Sequence, residues 1–191
     1  MSIPCPCKEQ GRGARLLVRF ARCGSGVAAV EFALVLPVLI ALLLGSAELT
    51  RALTYDRKVT QVAFTVGDLV AQSDSVSASD MTDIFKASDT VMQPYEADGL
   101  GMIVSSVLFD EDSNATVAWS CSQGSTAWDK NAPPPIEIPA SLKLANTSLI
   151  VSVSSFPYKP IFTAIIPNSI DMGETFYLRP RIVDTIADPG C

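Results

Sequence analysis

The sequence predicts an α+β protein: a long N-terminal helix whose first half crosses a membrane, then a second short helix and an antiparallel sheet. Three observations carry this expectation. Residues 27–47 form an almost uncharged apolar run. A stripe of small apolar residues at helical spacing follows it. Segments rich in Val, Ile, Thr, Phe and Tyr are confined to the C-terminal half, and helices followed by strands is the order of an α+β domain.

The chain has 191 residues, 48% of them hydrophobic. That share is high for a soluble domain, and much of it is concentrated in VAAVEFALVLPVLIALLLGSA, Val27 to Ala47, where Glu31 is the single charge. At about 1.5 Å per residue this run spans about 31 Å, close to the ~30 Å hydrocarbon core of a bilayer. Lys8, Arg12, Arg15, Arg19 and Arg22 precede it, against Glu9 alone. The positive-inside rule then keeps residues 1–26 as a basic cytoplasmic leader and carries residues 48–191 across the membrane. A rival is a cleavable signal peptide ending in the small residues Gly45, Ser46 and Ala47, which would release a chain starting at Glu48. The run is longer than the 7–15 residues of a usual signal core, and a carboxylate in its midst costs roughly 2.5–3.5 kcal/mol.

The helix is expected to continue to about residue 72, because Val59, Val62, Ala63, Val66 and Val70 recur at steps of three and four and so lie on one face. Pro37 should bend it. Residues 73–79 are small and polar, a loop. Residues 80–92 read as a second helix with Ser79 as N-cap. Residues 101–109, 115–121, 147–156 and 175–186 read as strands. Residues 122–146, with Pro133-Pro134-Pro135, form a long connection.

Composition narrows the function classes. The absence of histidine removes Ser-His-Asp and Cys-His nucleophile systems and every histidine-containing metal site. No carboxylate pair has a spacing that singles it out for acid–base work, so the expectation is a protein that is not an enzyme and needs no cofactor. Residues 49–191 carry 9 Lys and Arg against 17 Asp and Glu; an acidic surface does not bind nucleic acid by counterion release. Asp110, Asp112 and Asn114 have the opening spacing of a calcium loop, but Ala115 and Cys121 stand where the loop needs glycine and glutamate. A solvated hairpin turn is the simpler reading, and no metal site is expected. Cys5, Cys7 and Cys23 fall on the cytoplasmic side and should stay reduced. Cys121 and Cys191 are the two beyond the membrane, and an oxidising compartment makes them a disulfide. Its loop of about 70 residues is worth up to about 4 kcal/mol in the chain-entropy model. A redox-active pair would instead need CxxC-type spacing.

An intramembrane carboxylate is a functional-site hypothesis with a partner to be named. Cleavage between Gly26 and Val27 would give Val27 a free α-ammonium and make Glu31 the fifth residue, able to pair with the ammonium of a neighbouring copy. Gly26-Val27-Ala28-Ala29-Val30-Glu31 resembles the type IV prepilin processing pattern. Ala29 to Pro37, then Leu42-Leu43-Leu44-Gly45 and Glu48, resemble the N-terminal region of the TadE/TadG-like proteins of the tight-adherence (Flp) pilus system. Tyr177-Leu178-Arg179-Pro180-Arg181, with Cys191, is similar to their C-terminal tail. The length is nearer to the short TadE and TadF types. The resemblance implies a minor pilin or pseudopilin in a bacterial inner membrane, with a periplasmic domain on a long helix. Its partners would be the membrane, other pilin-like subunits, the pilus machinery and the prepilin peptidase. A membrane-anchored periplasmic binding or sensing module, unprocessed, is the alternative with the same topology.

Overall fold

The computed structural model describes residues 27–161 and 168–191. The leader with its basic residues, Cys5, Cys7, Cys23 and Gly26 lies outside the described residues. Two α-helices and four strands follow in the order α1 (Val27–Ala71), α2 (Ala78–Met92), β1 (Gly101–Phe109), β2 (Ala115–Gln123), β3 (Ser148–Tyr158) and β4 (Ile170–Leu178), with a single 3-10 turn over Ala140–Leu142 before β3 among the described residues. The class is α+β. The described residues fall into two units, divided between Ala47 and Glu48.

In the first unit the described residues are the apolar part of α1. Val27, Phe32, Leu34, Leu42 and Leu43 are each 58–72% exposed, and the most apolar stretch of the helix buries nothing. Pro37 sits inside the helix. Ser46 Oγ donates to the carbonyl of Leu43 at 2.9 Å, which satisfies a hydroxyl within an apolar helix.

In the second unit α1 turns one stripe inward. Ala52, Val59, Val62, Ala63, Val66 and Val70 are buried, while Asp56, Arg57 and Gln61 face solvent. The spacing of three and four residues is that of a single core-facing stripe. The stripe packs with Met81 and Phe85 of α2 and with Met102, Val104, Trp119, Ile150 and Phe156 of the sheet. Lys58 Nζ donates to the carbonyl of Val91 at 2.8 Å, placing a cation at the C-terminal end of α2, where the helix dipole favours it.

The sheet is antiparallel throughout, in the order β2-β1-β3-β4. A register shift between Ser106 and Val107 lets β2 carry one extra residue, the signature of a bulge. Where α1 crosses β3 the strand offers serines rather than large residues. Ser154 Oγ donates to the carbonyl of Val59 at 2.9 Å, and a Cβ on Gly67 would stand 2.8 Å from Ser152 Cβ and 2.7 Å from Leu178 Cδ1. The opposite face carries a second core of Val107, Phe109, Leu149 and Val151, covered by Ile138, Trp128, Ile136 and Leu142. The long connection 122–146 is therefore a packed layer, held by its own apolar side chains.

Two expectations need correction. The N-cap of α2 is Ser77, not Ser79: Ser77 Oγ accepts from Asp80 N–H at 3.2 Å and Asp80 Oδ2 accepts from Ser77 N–H at 3.0 Å. This reciprocal capping box needs an acid three residues on, and Ser79 lacks one. It also holds the Asp80 carboxyl below its usual range, chiefly through the Ser77 side chain. The last strand is Ile170–Leu178, not 175–186. Residues 179–186 are β-prone in composition but spend their polar groups elsewhere. Arg181 N–H caps the α1 carbonyl of Ala71 at 2.9 Å, Asp184 O accepts from Ser148 Oγ, and Ile186 O accepts from Trp119 Nε1 at 2.8 Å.

Candidate functional site

The predicted site residues fall into two groups, and each unit holds one. In the first unit, Val27 opens α1 and Glu31 stands one turn on. At a separation of four they share a helix face. Both are exposed, and Glu31 is the one charged residue between Val27 and Ala47. The bond whose cleavage would free the Val27 amine begins at Gly26, outside the described residues.

In the second unit, Cys121 and Cys191 are joined by a disulfide with a Cα–Cα distance of 5.5 Å. Cys121 is buried in the main core on β2. The chain end is thereby tied to the sheet, and the Trp119–Ile186 bond and a Lys130–Asp188 ion pair tie the residues before it. Lys130 and the Gly190 N–H also hold the Asp188 carboxyl below its ordinary range.

The acidic cluster at 110–114 is a turn. The Asp110 carboxylate accepts from the N–H of Asp112 at 2.9 Å, the N–H of Asn114 at 2.8 Å and the Asn114 side-chain amide at 2.9 Å. Those bonds, Asn114 first, lower the Asp110 pKa.

A further polar group in the second unit was not anticipated. Glu48 is 1% exposed and accepts hydrogen bonds from the Tyr158 hydroxyl and, at 3.2 Å, from the Ile161 N–H. Burial, and then the hydrogen bond to Glu48, push the Tyr158 phenol up to about 12, so it remains a donor at every physiological pH. Tyr55 packs beside it, with ring centroids 5.1 Å from Tyr158, 5.3 Å from Phe156 and 4.5 Å from Tyr95. Arg51 lies 6.0 Å above the Tyr55 ring, a cation–π geometry. Tyr55, Phe156 and Tyr158, with Arg51, Glu96, Asp98 and Lys159, line an open cleft of about 490 Å³. The arrangement anchors the start of the domain's helix to the end of β3. A sequence signal existed: counting back from Val59 by the same steps through Tyr55 and Ala52 reaches Glu48, a core position occupied by an acid.

No curated protein and no solved structure matches the chain. The family model of TadE-like proteins matches residues 26–67. That segment contains Val27, Glu31 and Glu48 and ends at the glycine that α1 presses against β3. Residues 26–67 are thus a TadE-like segment, which is consistent with the TadE/TadG-like family and with a part in Tad pilus assembly.

Proposed function

We propose that the protein is a minor pilin-like or pseudopilin-like component of tight-adherence pilus biogenesis, nearest to the short TadE and TadF types. It sits in a bacterial inner membrane with its N-terminus in the cytoplasm and residues 48–191 in the periplasm. It acts by contact rather than by catalysis: the apolar part of α1 associates with other pilin-like helices, and the outer domain engages other subunits. One observation carries this reading. An apolar helical stretch with no buried residue and a single carboxylate, Glu31, lies inside the segment that the TadE-like family model matches. An apolar helix with no protein around it needs lipid or other helices, and an acid within it needs a partner charge.

The intact mass of the protein from membranes of cells with and without the prepilin peptidase tests processing. A chain starting at Val27 only when the peptidase is present is expected. A chain starting at Glu48 would overturn the membrane anchor. Replacing Glu31 by alanine should spare insertion and folding while abolishing piliation, read by electron microscopy and co-purification of partner subunits. Normal pili in that strain would sink the charge-pairing role.

A second reading, a membrane-anchored binding module, draws on the 490 Å³ cleft beside Tyr55. A thermal-shift screen of small polar ligands on the full chain, with Tyr55→Ala as control, would separate it from the first.

A further inference from the structure

The two edges of the sheet are treated differently. The outer edge of β2 is covered by the connection that leaves it. Val117 gives its N–H to the carbonyl of Ala132 at 2.9 Å and accepts from Asn131 N–H at 2.8 Å, and Trp128 N–H bonds to Ser120 Oγ at 3.0 Å. The outer edge of β4 has no backbone partner among the described residues. Thr175 shows which groups face that way. Its N–H reaches back to the carboxylate of Glu174 at 3.4 Å rather than across to β3. In an antiparallel ladder the N–H and C=O of one residue point to the same side, and the side alternates along the strand. Asp171, Gly173, Thr175 and Tyr177 therefore present their backbone groups outward. The strand runs nine residues and contains no proline, and its register with β3 is unbroken. Of the usual protections of an edge, short length, proline and bulges are missing from β4, and only the charges of Asp171 and Glu174 are present. An apolar shelf flanks the edge on the α1 side: Phe64 is 45% exposed and meets Phe176 edge-on with ring centroids 5.6 Å apart.

We propose that β4 is an interaction edge, taken by an extended segment of another protein that adds as a fifth strand, apolar beside Phe176 and with a lysine or arginine opposite each of Asp171 and Glu174, three positions apart and so one on each face. Strand addition supplies affinity through main-chain hydrogen bonds and specificity through alternate side chains. The charge on the strand selects the partner. Asp171 and Glu174 are the charged residues between Ile170 and Leu178, and opposite charges across a strand pair are stabilising while like charges are not. A second copy of this chain is a poor occupant for the same reason. Full antiparallel overlap of two β4 strands centres on Glu174 and sets two carboxylates opposite each other, and parallel in-register pairing opposes both acids to themselves. The inference stands on the sheet edges and does not depend on the pilus reading.

The test uses the full chain in detergent micelles and a blocked, fluorescent nine-residue peptide of valine and threonine with two lysines three positions apart, the spacing of Asp171 and Glu174. Fluorescence anisotropy should show saturable binding, and amide exchange over residues 170–178 should slow when the peptide is present. Thr175→Pro removes one outward N–H and leaves the ladder to β3 intact, a position where an edge strand tolerates proline. It should weaken binding tenfold or more with an unchanged unfolding midpoint. If the proline variant does not fold, Glu174→Lys and a peptide with glutamate in place of lysine decide the matter, each expected to bind at least tenfold more weakly. No binding by the wild-type chain, or equal binding by folded variants and by the acidic peptide, overturns the proposal. So does a concentration-dependent dimer that Thr175→Pro abolishes, which would give the edge to a second copy.

Discussion

The two parts of α1 are both rich in Val, Leu and Ala, yet they put these residues to different use. Between Val27 and Ala47 the apolar side chains point in all directions and none is buried; from Glu48 to Ala71 one stripe of them is buried, while Leu49, Leu53, Phe64 and Leu69 stay exposed among the charged residues. Apolar content alone does not say what a residue is for, whereas its distribution around the helix does. A matched pair of substitutions breaks the comparison most sharply. Val62 is fully buried, and Val62→Asp places an unpaired carboxylate in the core, a loss of more than about 4 kcal/mol. Leu39 is half exposed, and Leu39→Asp should leave the unfolding of the outer domain within about 0.5 kcal/mol. It should instead reduce membrane insertion by roughly 2.5–3.5 kcal/mol. Fluorescence of Trp119 during thermal unfolding reads the first effect and carbonate extraction of membranes reads the second. Equal stability losses from the two changes would mean that residues 27–47 are part of the domain core.

Within the second unit a similar contrast separates the packed helix from the C-terminal tail. The helix is held by a continuous buried stripe; residues 179–191 are held by a few anchors, Ile186 in the core with Val183 packed against it, polar bonds and the covalent Cys121–Cys191 disulfide. Replacing both cysteines by serine should cost about 3 kcal/mol, within the usual range for a loop of this size. The fold should persist, because Trp119, Ser148 and Arg181 still bond the tail or its neighbours. A denaturant midpoint unchanged by the double substitution would mean that those contacts alone fix the chain end.

What was legible in the sequence follows the range of the interaction. The apolar run, the stripe from Val59 to Val70 and strand β1 are local patterns, and they lie where periodicity places them. Glu31 was visible because an acid in an apolar run contradicts its surroundings. The cap of α2 was missed by two residues because several serines compete there, and only the reciprocal bond to Asp80 distinguishes Ser77. The last strand was placed too late because 179–186 have strand-like composition, while Asp171, Gly173 and Glu174 do not. Pairing with β3 overrides both tendencies. The Glu48–Tyr158 contact joins residues 110 apart, and no local pattern announces such a partner. The serines of β3 were equally silent, since a small residue marks a close approach only once the helix above it is known.

Tyr158 sharpens the comparison between burial by packing and burial by hydrogen bonding. Tyr158→Phe keeps the ring contacts and removes the donor to Glu48, so the expected cost is about 2 kcal/mol, that of a hydrogen bond lost to a buried carboxyl group. The pH dependence gives an independent check. The folded phenol titrates at about 12 against an ordinary 10, so folding favours the protonated form. That contribution is complete below pH 10 and is lost as pH rises from 10 to 12. Its size is on the order of 2–3 kcal/mol. Tyr177 is also raised by burial, so the quantity to measure is the difference between wild type and Tyr158→Phe across that window. Parallel stability curves would mean that neither burial nor Glu48 raises the phenol's pKa.

The smallest expected effect tests how closely α1 lies on the sheet. A methyl at position 67 would be 2.8 Å from Ser152 Cβ and 2.7 Å from Leu178 Cδ1, both shorter than van der Waals contact. The leucine methyl can rotate away; the serine Cβ is fixed to the backbone of β3 and cannot. Gly67→Ala gains up to about 1 kcal/mol in helix propensity and loses about 1–3 kcal/mol to overpacking, so the balance is a net loss of about 1 kcal/mol. Adding Ser152→Gly removes the opposing Cβ and should recover the packing part of that loss, because the two changes share one contact. Additive destabilisation in the double variant would place the helix farther from the strand than the serine contacts imply. Rescue would assign the close approach of α1 and β3 to the pairing of Gly67 with Ser152.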